Sequence, residues 1–421
     1  MSDLTQINLN NNLRLNYIDT TKFKTNRISL YFKRKLSKNE ATKNALLAMI
    51  MERSSTKYPK TEDISKFLQQ NYGANFTAFI KKKGDYQLLV FSIDFISENF
   101  VKDKTPILEN ILDFFTDIIF NQQQFNQEYF EQEKNNLKLK ILSQQNDKKS
   151  YAKMRCIEEM CKNEAYGINE LGYLEELQQI SSESLFDHYR NVILHVPFEL
   201  FVVGQCNIQN ITKKFECITE DYVIGAMENQ EPDKYLSSGI KEVKNVVEED
   251  KVVQAKLVIG CRINIEPNSE DYFKLVVYNT LFGGGPYSKL FNNVREKLSL
   301  AYYVFSMFDR FKNVMTINAG IESKKFKTAY EEILKQRDSI AKNQFSDTEL
   351  SSAQMTAITS INTQADSPSL LEDFYYSALM ANRNENIQQF INKLNQVSRE
   401  NVVEVANKMQ LDVVYLLKEK N

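Results

Sequence analysis

Two stretches decide the fold, because they carry the same features in the two halves of the chain. The first reads ISKFLQQNYGANFTAFIKKKGDYQLLVFSIDF (residues 64–95), and the second reads YSKLFNNVREKLSLAYYVFSMFDRFKNVMTINAGI (residues 287–321). Each begins with a helix-like segment and continues with strand-like text that is rich in aromatic and β-branched residues. The segment Ile64–Leu68 corresponds to Tyr287–Phe291, which lies 223 residues further on.

Two more matches occur in the same order outside these stretches. Phe125-Asn126-Gln127-Glu128 begins a long helical segment, and Phe345-Ser346-Asp347-Thr348-Glu349 begins another at an offset of 220 residues. Leu177–Ser181 matches Leu394–Ser398 at an offset of 217 residues. Because chance matches would scatter, three matches at nearly one offset predict a duplicated chain.

Each half has the same predicted order of elements: opening strands, a strongly apolar helix, a second helix, an antiparallel strand pair and long amphipathic helices. A closing strand ends each half, at Phe198–Val203 and at Val413–Leu417. This order predicts an α+β fold with two homologous domains, each a mainly antiparallel sheet covered by helices. The polar stretch ENQEPDKYLSSG is typical of a linker. We therefore predict an N-terminal domain at residues 1–229, a linker at 230–248 and a C-terminal domain at 249–421.

The composition narrows the class of protein. The 421 residues exceed what a single core usually serves, and 53 basic residues nearly balance 55 acidic ones. This balance gives no electrostatic reason to expect a nucleic acid or membrane partner. The chain shows no apolar run of about 20 residues for a membrane span, and its start has no signal-like apolar run. We expect a cytoplasmic protein with reduced thiols at its five cysteines (Cys156, Cys161, Cys206, Cys217 and Cys261).

Three short motifs follow the first apolar helix: Ser55–Lys60, which contains a Tyr-Pro pair, then Ile64–Leu68 and Gly73-Ala74. Together they resemble the corresponding segment of the insulinase, pitrilysin and mitochondrial processing peptidase family. In that family the pair follows the inverted zinc motif HxxEH at a fixed distance. Two histidines four residues apart share a helix face and hold Zn²⁺, and the glutamate activates its bound water.

The resemblance places that motif on residues 45–49, where the functional side chains are missing. Ala45 and Met49 stand at the histidine positions, Ala48 stands at the glutamate position, and Lys140 stands at the third ligand. Alanine offers zinc no donor, and lysine is a cation. The two histidines of the chain lack ligand spacing, so we predict no catalytic residue, no metal and no cofactor.

The stretch LFGGGPYSKLFNNVREKLSLAY (residues 281–302) resembles the second-domain signature of the same family. The resemblance implies that Arg295 and Tyr302 contact the substrate backbone, because a guanidinium and a phenol both donate hydrogen bonds to carbonyl oxygens. Spacing alone would favour a surface arginine in a charge cluster and a core tyrosine, but the surrounding signature favours substrate contact. The Gly283–Gly285 run is more typical of a C-cap and turn than of a phosphate loop.

The family also binds peptides as an added strand at a sheet edge, and the matching segment here is Thr77, Ala78 and Phe79. One hypothesis is therefore a non-catalytic subunit of a two-chain zinc peptidase, which helps enclose and orient an unstructured peptide for an HxxEH-bearing partner. The alternative is a metal-free homodimer that binds peptides or serves as a scaffold without proteolysis. The expected partners are accordingly a zinc-bearing homologue or a second copy, together with a peptide.

Overall fold

The computed structural model describes residues 4–10, 13–102, 105–220, 240 and 242–420. The chain divides into two compact units. Unit 1 comprises residues 1–142, 168–230 and 366–376, and unit 2 comprises residues 143–167, 231–365 and 377–421. Each unit therefore includes one segment that the sequence order would assign to the other half.

The strands form two sheets. They are β1 (Leu4–Asn10), β2 (Leu13–Ile18), β3 (Thr25–Lys35), β4 (Asn75–Lys83), β5 (Tyr86–Ile96), β6 (Phe198–Val203), β7 (Lys244–Asp250), β8 (Ala255–Ile263), β9 (Ala301–Asp309), β10 (Val314–Ile321) and β11 (Met409–Glu419). The order is β1-β2-β6-β3-β5-β4 in unit 1 and β7-β11-β8-β10-β9 in unit 2. Each sheet has one parallel pair, β2 with β6 and β7 with β11, and its other pairs are antiparallel.

Fourteen α-helices occur in the described residues. They are α1 (Lys38–Met51), α2 (Thr61–Gln70), α3 (Ile107–Phe120), α4 (Gln127–Ser143), α5 (Lys148–Met160), α6 (Leu174–Gln179), α7 (Ser182–Ile193), α8 (Ile208–Glu220), α9 (Asp271–Asn279), α10 (Phe326–Ala341), α11 (Asp347–Gln364), α12 (Pro368–Met380), α13 (Ile387–Asn395) and α14 (Arg399–Lys408). Wider π-helical turns span Thr280–Gly284 and Leu290–Lys297. Short 3₁₀ turns span Glu98–Phe100, Ala165–Gly167 and Ser323–Lys325. The predicted α+β class with two sheets and covering helices is confirmed.

Helices cover one face of the unit 1 sheet and form its main core. Residues of β3 alternate, so that Ile28, Leu30 and Phe32 face these helices and are fully buried. On α3, Phe114 stacks on Phe67 of α2 with ring centroids 4.5 Å apart. Burying each such apolar side chain contributes about 1.5–3 kcal/mol, which makes this face the dominant source of stability in unit 1.

The other face of the unit 1 sheet binds the segment 366–376 through a buried carboxylate. Glu372 accepts hydrogen bonds from the Tyr31 hydroxyl at 2.6 Å, from the Ser29 hydroxyl at 2.9 Å and from Arg27 Nε at 3.4 Å. Tyr376 stacks on the Tyr31 ring with centroids 4.1 Å apart. No local pattern in the sequence indicates that a segment so late in the chain belongs to this sheet.

Unit 2 has a matching feature, because α5 packs on the second face of its own sheet. A side chain at Gly260 of β8 would place its Cβ 2.9 Å from Met160 Sδ and 3.2 Å from Cys156 Sγ. Glycine at this position therefore permits the close approach of helix and strand. Burial raises the pKa of the Cys156 thiol, as expected for a packed thiol.

The duplication is visible in local structure. Ser181 and Ser398, which end the third sequence match, are the N-caps of α7 and α14. The hydroxyl of each accepts a hydrogen bond from the backbone N–H three residues later, at 3.1 Å from Ser184 and 3.3 Å from Asn401. Equivalent caps at equivalent positions support the duplication inferred from sequence.

The predicted domain boundaries stay a prediction. Much of the predicted linker 230–248 lies outside the described residues, which omit 221–239 and 241, while its last residues belong to β7. The predicted closing strand Phe198–Val203 coincides with β6, and Val413–Leu417 lies within β11. None of the described helices is long and apolar enough to cross a membrane.

One ion cluster in unit 2 should make its stability acid-sensitive. Glu385 accepts hydrogen bonds from Arg383 Nε at 3.0 Å, from Arg383 Nη2 at 2.5 Å and from Lys393 Nζ at 2.6 Å. Burial opposes ionisation, but these bonds lower the pKa of Glu385 from 4.5 to about 2. Because the folded pKa lies below the unfolded one, this stabilisation is complete above the unfolded pKa and is lost as the pH falls toward about 2.

We therefore expect Glu385→Gln to remove about 1–3 kcal/mol of stability near neutral pH and much less near pH ~2. Urea unfolding at several pH values, followed by tyrosine fluorescence, measures the difference. Glu331→Gln is the matched control, because Glu331 is exposed and its pair with Lys327 is 4.0 Å long. Equal pH profiles for wild type and E385Q would contradict the prediction.

Candidate functional site

The helix α1 carries the positions that the resemblance assigns to the zinc motif. Ala45 and Ala48 are buried in the core of unit 1, with exposures of 3% and 2%, and Met49 is half-buried against the same core. The second half of the helix is apolar, and the helix packs against β4 and β5 and also contacts α6 and α7. These side chains therefore serve packing.

Zinc does not fit this set of residues. The two alanines provide no donor atom, the thioether of Met49 is a soft ligand, and Lys140 is an exposed cation on α4. Within the part of the chain that the structure describes, no group of three or more His, Cys, Asp or Glu side chains is arranged to hold a metal ion. The buried His188 bonds Asn44 through Nε2 at 2.7 Å, and burial lowers its pKa to about 4.

A polar cluster lies beyond the end of α1, and its central residue, Glu52, was not among the residues predicted from sequence. Glu52 Oε1 accepts a hydrogen bond from the backbone N–H of Ala78 at 2.6 Å. Burial raises the pKa of Glu52 and Glu133 raises it further, whereas the Ala78 N–H, Lys140 and Arg53 lower it. The structure thus brings two predicted site residues, Ala78 and Lys140, close to one carboxylate. The only signal in the sequence was an acidic residue directly after an apolar helix.

The charges of this cluster balance. Glu52 and Glu133 are acidic, and Arg53 and Lys140 are basic. Glu133 is buried on α4, where its Oε1 lies 3.5 Å from Arg53 Nε and its carboxylate accepts from Asn136 Nδ2 at 3.3 Å. Balanced charge reduces the cost of holding two carboxylates at a partly buried position.

The predicted peptide-binding residues lie on β4, the terminal strand of the unit 1 sheet. Among the described strands, β4 pairs with β5 alone. The Thr77 hydroxyl lies 2.8 Å from the Ser92 hydroxyl of β5. The Ala78 side chain is buried, and Phe79 is 36% exposed. One side of a terminal strand presents backbone N–H and C=O groups that can pair with an added strand.

Arg295 and Tyr302 lie in unit 2 on consecutive elements, and both side chains are exposed. Arg295, in the π-helical turn Leu290–Lys297, packs over the Phe291 ring at 4.8 Å and lies 3.5 Å from Glu296. Tyr302 is 55% exposed on β9, the terminal strand of this sheet. The alternative of a core tyrosine is therefore wrong.

The backbone around Tyr302 departs from regular pairing. Tyr303 pairs with Gly320 and Ala301 pairs with Ile321, so Tyr302 is the extra residue of a β-bulge. A bulge changes the direction in which its side chain leaves the strand. The turn before it is closed by a hydrogen bond from Ser299 N–H to the Arg295 carbonyl at 3.1 Å, with Ser299 at φ +48°.

The glycine run before this turn has mainly a packing role. Gly283 and Gly284 belong to the π-helical turn Thr280–Gly284, and only Gly285 occupies the predicted C-cap position. A Cβ at Gly283 would lie 2.7 Å from the Ser306 backbone N and 2.7 Å from Leu290 Cδ1. The prediction of a turn was therefore only partly right, because close packing against β9 requires glycine at 283.

The chain is similar to several known proteins over most of its length. Residues 179–357 match a family described as the peptidase M16 inactive domain. The chain is 33% identical over 414 residues to the probable inactive metalloprotease YmfF of Bacillus subtilis, covering 96% of each chain. It is 23% identical over 267 residues to the uncharacterized zinc protease YmxG of the same organism, covering 60% of this chain and 62% of YmxG.

Solved structures agree on the fold. A conserved protein from Enterococcus faecalis V583 superposes with a TM-score of 0.91 at 28% identity, covering 100% of this chain and 99% of that one. The M16 inactive domain from Pseudomonas fluorescens superposes with a TM-score of 0.79 at 15% identity, covering 100% and 98%. Because its sequence identity is only 15%, the second match shows a shared fold and nothing more.

Proposed function

We propose a non-catalytic role in proteolysis for this chain, which belongs to the M16 peptidase family. In this proposal it is one subunit of a two-chain zinc peptidase, and it helps enclose and orient an unstructured peptide. The partner is a homologue that carries HxxEH and supplies the metal, the activated water and the bond cleavage. This chain supplies hydrogen-bonding groups for the peptide backbone.

One contrast carries the proposal. The positions of the zinc motif have become buried hydrocarbon at Ala45 and Ala48, whereas Arg295 and Tyr302 stand exposed beside a bulged terminal strand. An exposed phenol and an exposed guanidinium can both donate hydrogen bonds to carbonyl oxygens. A subunit that contacts peptide carbonyls would need both groups.

The terminal strand β4 supports the same role in unit 1. An extended peptide added there would form main-chain hydrogen bonds that require no particular side-chain sequence. Such pairing suits a protein that receives many unstructured peptides, because affinity comes from the backbone. The exposed Phe79 would add an apolar contact for side chains of the bound strand.

Reconstitution tests the proposal directly. The chain is mixed with a zinc-bearing homologue encoded in the same genome, and cleavage of an unstructured fluorogenic peptide is followed, with each protein alone as control. We expect a stable complex and cleavage well above the sum of the two separate proteins. A partner with its HxxEH glutamate replaced by Gln should abolish cleavage without abolishing the complex.

The alternative function predicts another outcome. A metal-free peptide-binding scaffold would form a tight homodimer, bind peptide and leave the activity of the homologue unchanged. Size-exclusion chromatography with light scattering distinguishes a homodimer from the mixed complex. A homodimer that neither binds the homologue nor stimulates it would overturn the proposed function.

A further inference from the structure

The direction of each backbone group on the terminal strand β4 determines whether an added strand could bond to it. In an antiparallel pair, successive residues direct their N–H and C=O groups alternately toward the partner strand and away from it. The N–H of Ala78 bonds Glu52 and therefore belongs to the outward set. Thr77 and Phe79, its neighbours, accordingly direct their backbone groups toward β5. The outward Ala78 N–H is the group that an added strand would use.

Glu52 already holds that group. Its carboxylate reaches the Ala78 N–H from the end of α1 at 2.6 Å, which is a short, charge-assisted hydrogen bond. We infer that Glu52 closes the edge of β4 by accepting the Ala78 N–H, so that a peptide strand is added only when this carboxylate is displaced. The closing contact is observed directly, and the identity of the displacing strand rests on the proposed function.

Charged side chains surround the Glu52 carboxylate. The positive charges of Lys140 and Arg53 favour its ionised form, and the negative charge of Glu133 disfavours it. Glu133 is itself paired with Arg53, which reduces its repulsion of Glu52. An ionised carboxylate is a stronger hydrogen-bond acceptor than a neutral one, so the basic side chains support the closure.

This arrangement defines what the edge can accept. In antiparallel addition, the paired residue of the bound strand offers its carbonyl to the Ala78 N–H and donates its own N–H to the Ala78 carbonyl. Proline has no N–H, so a peptide with proline at that residue forms only one of the two bonds. The substrate class is therefore an extended peptide segment with free N–H groups opposite Ala78.

Amide hydrogen exchange tests the closure in the full-length chain without any peptide. In Glu52→Ala the Ala78 N–H loses its acceptor, and we expect its exchange to become at least about tenfold faster, as loss of a charge-assisted bond predicts. The N–H groups of Thr77 and Phe79 are internal controls, because they face β5. Glu52→Gln keeps an acceptor oxygen without the charge and should give an intermediate rate. Unchanged exchange at Ala78 in both variants overturns the inference.

Peptide binding tests the displacement. With a fluorescein-labelled, unstructured, proline-free peptide, E52A should bind about tenfold more tightly than wild type, because no carboxylate competes. An N-methylated version of the same peptide should bind both proteins more weakly. Equal affinity of wild type and E52A overturns the inference and leaves the proposed function standing. If neither protein binds the peptide, the proposed use of this edge fails, and exchange at Ala78 alone decides whether Glu52 closes it.

Discussion

Replacing Glu372 by Ala is expected to lower the free energy of unfolding of unit 1 by about 3–5 kcal/mol. Glu372 is fully enclosed against β3, where Arg27, Ser29 and Tyr31 all donate hydrogen bonds to it. Its removal leaves the buried guanidinium of Arg27 beside Asp94, whose carboxylate lies 2.5 Å away. It also leaves two hydroxyl groups without this acceptor. Leaving charged and polar donors buried is much more costly than losing a surface pair.

The measurement is urea unfolding followed by tyrosine fluorescence and circular dichroism, since the chain has no tryptophan. Exchange of β3 amides reports on unit 1 separately from unit 2. Asp366→Asn is the matched control from the same segment, because Asp366 pairs with Lys22 at 3.0 Å while both side chains are at least half exposed. We expect that control to change stability by less than about 1 kcal/mol. If E372A changed the free energy of unfolding by no more than this control does, Glu372 would not hold this segment.

The second large effect concerns catalysis by the reconstituted pair. Arg295→Ala and Tyr302→Phe should each slow peptide cleavage by about 2–4 kcal/mol of transition-state stabilisation, or roughly 30- to 900-fold in rate. Each substitution removes hydrogen-bond donors. In the proposed function these donors bind the peptide backbone and stabilise the negative charge that develops during cleavage. Tyr302→Phe removes a single hydroxyl from an exposed ring, so the fold should be unaffected.

Matched variants separate this role from a general loss of surface contacts. Tyr287→Phe removes a hydroxyl from a 68% exposed tyrosine in the same unit, and Lys327→Ala removes an 85% exposed cation. Both should cleave peptide at the wild-type rate. The loss in R295A and Y302F should be measured in kcat and in KM, because a group that acts only in the transition state lowers kcat. Wild-type turnover in both R295A and Y302F would refute their assigned role.

Several features could be predicted from sequence because they depend on local pattern or on side-chain chemistry. The duplication and the closing strand β6 could be predicted from the spacing and periodicity of residues. These local patterns do not depend on what the segments pack against. The absence of zinc donors at Ala45 and Ala48 follows from the side chains themselves, since alanine cannot coordinate metal in any fold. The exposure of Tyr302 could not be predicted, because a bulge depends on the register of two strands.

The sequence by itself determined the class of fold, the repeat and the chemistry that is missing from α1. Only the tertiary structure decided that residues 366–376 belong to unit 1 and residues 143–167 to unit 2, because amphipathicity predicts that a helix face is buried without specifying against which sheet. It alone also placed the Glu52 carboxylate on the Ala78 N–H, 26 residues away, and Glu372 on Ser29, 343 residues away. Such bonds form where packing brings distant residues within about 3 Å, and no local pattern records that distance.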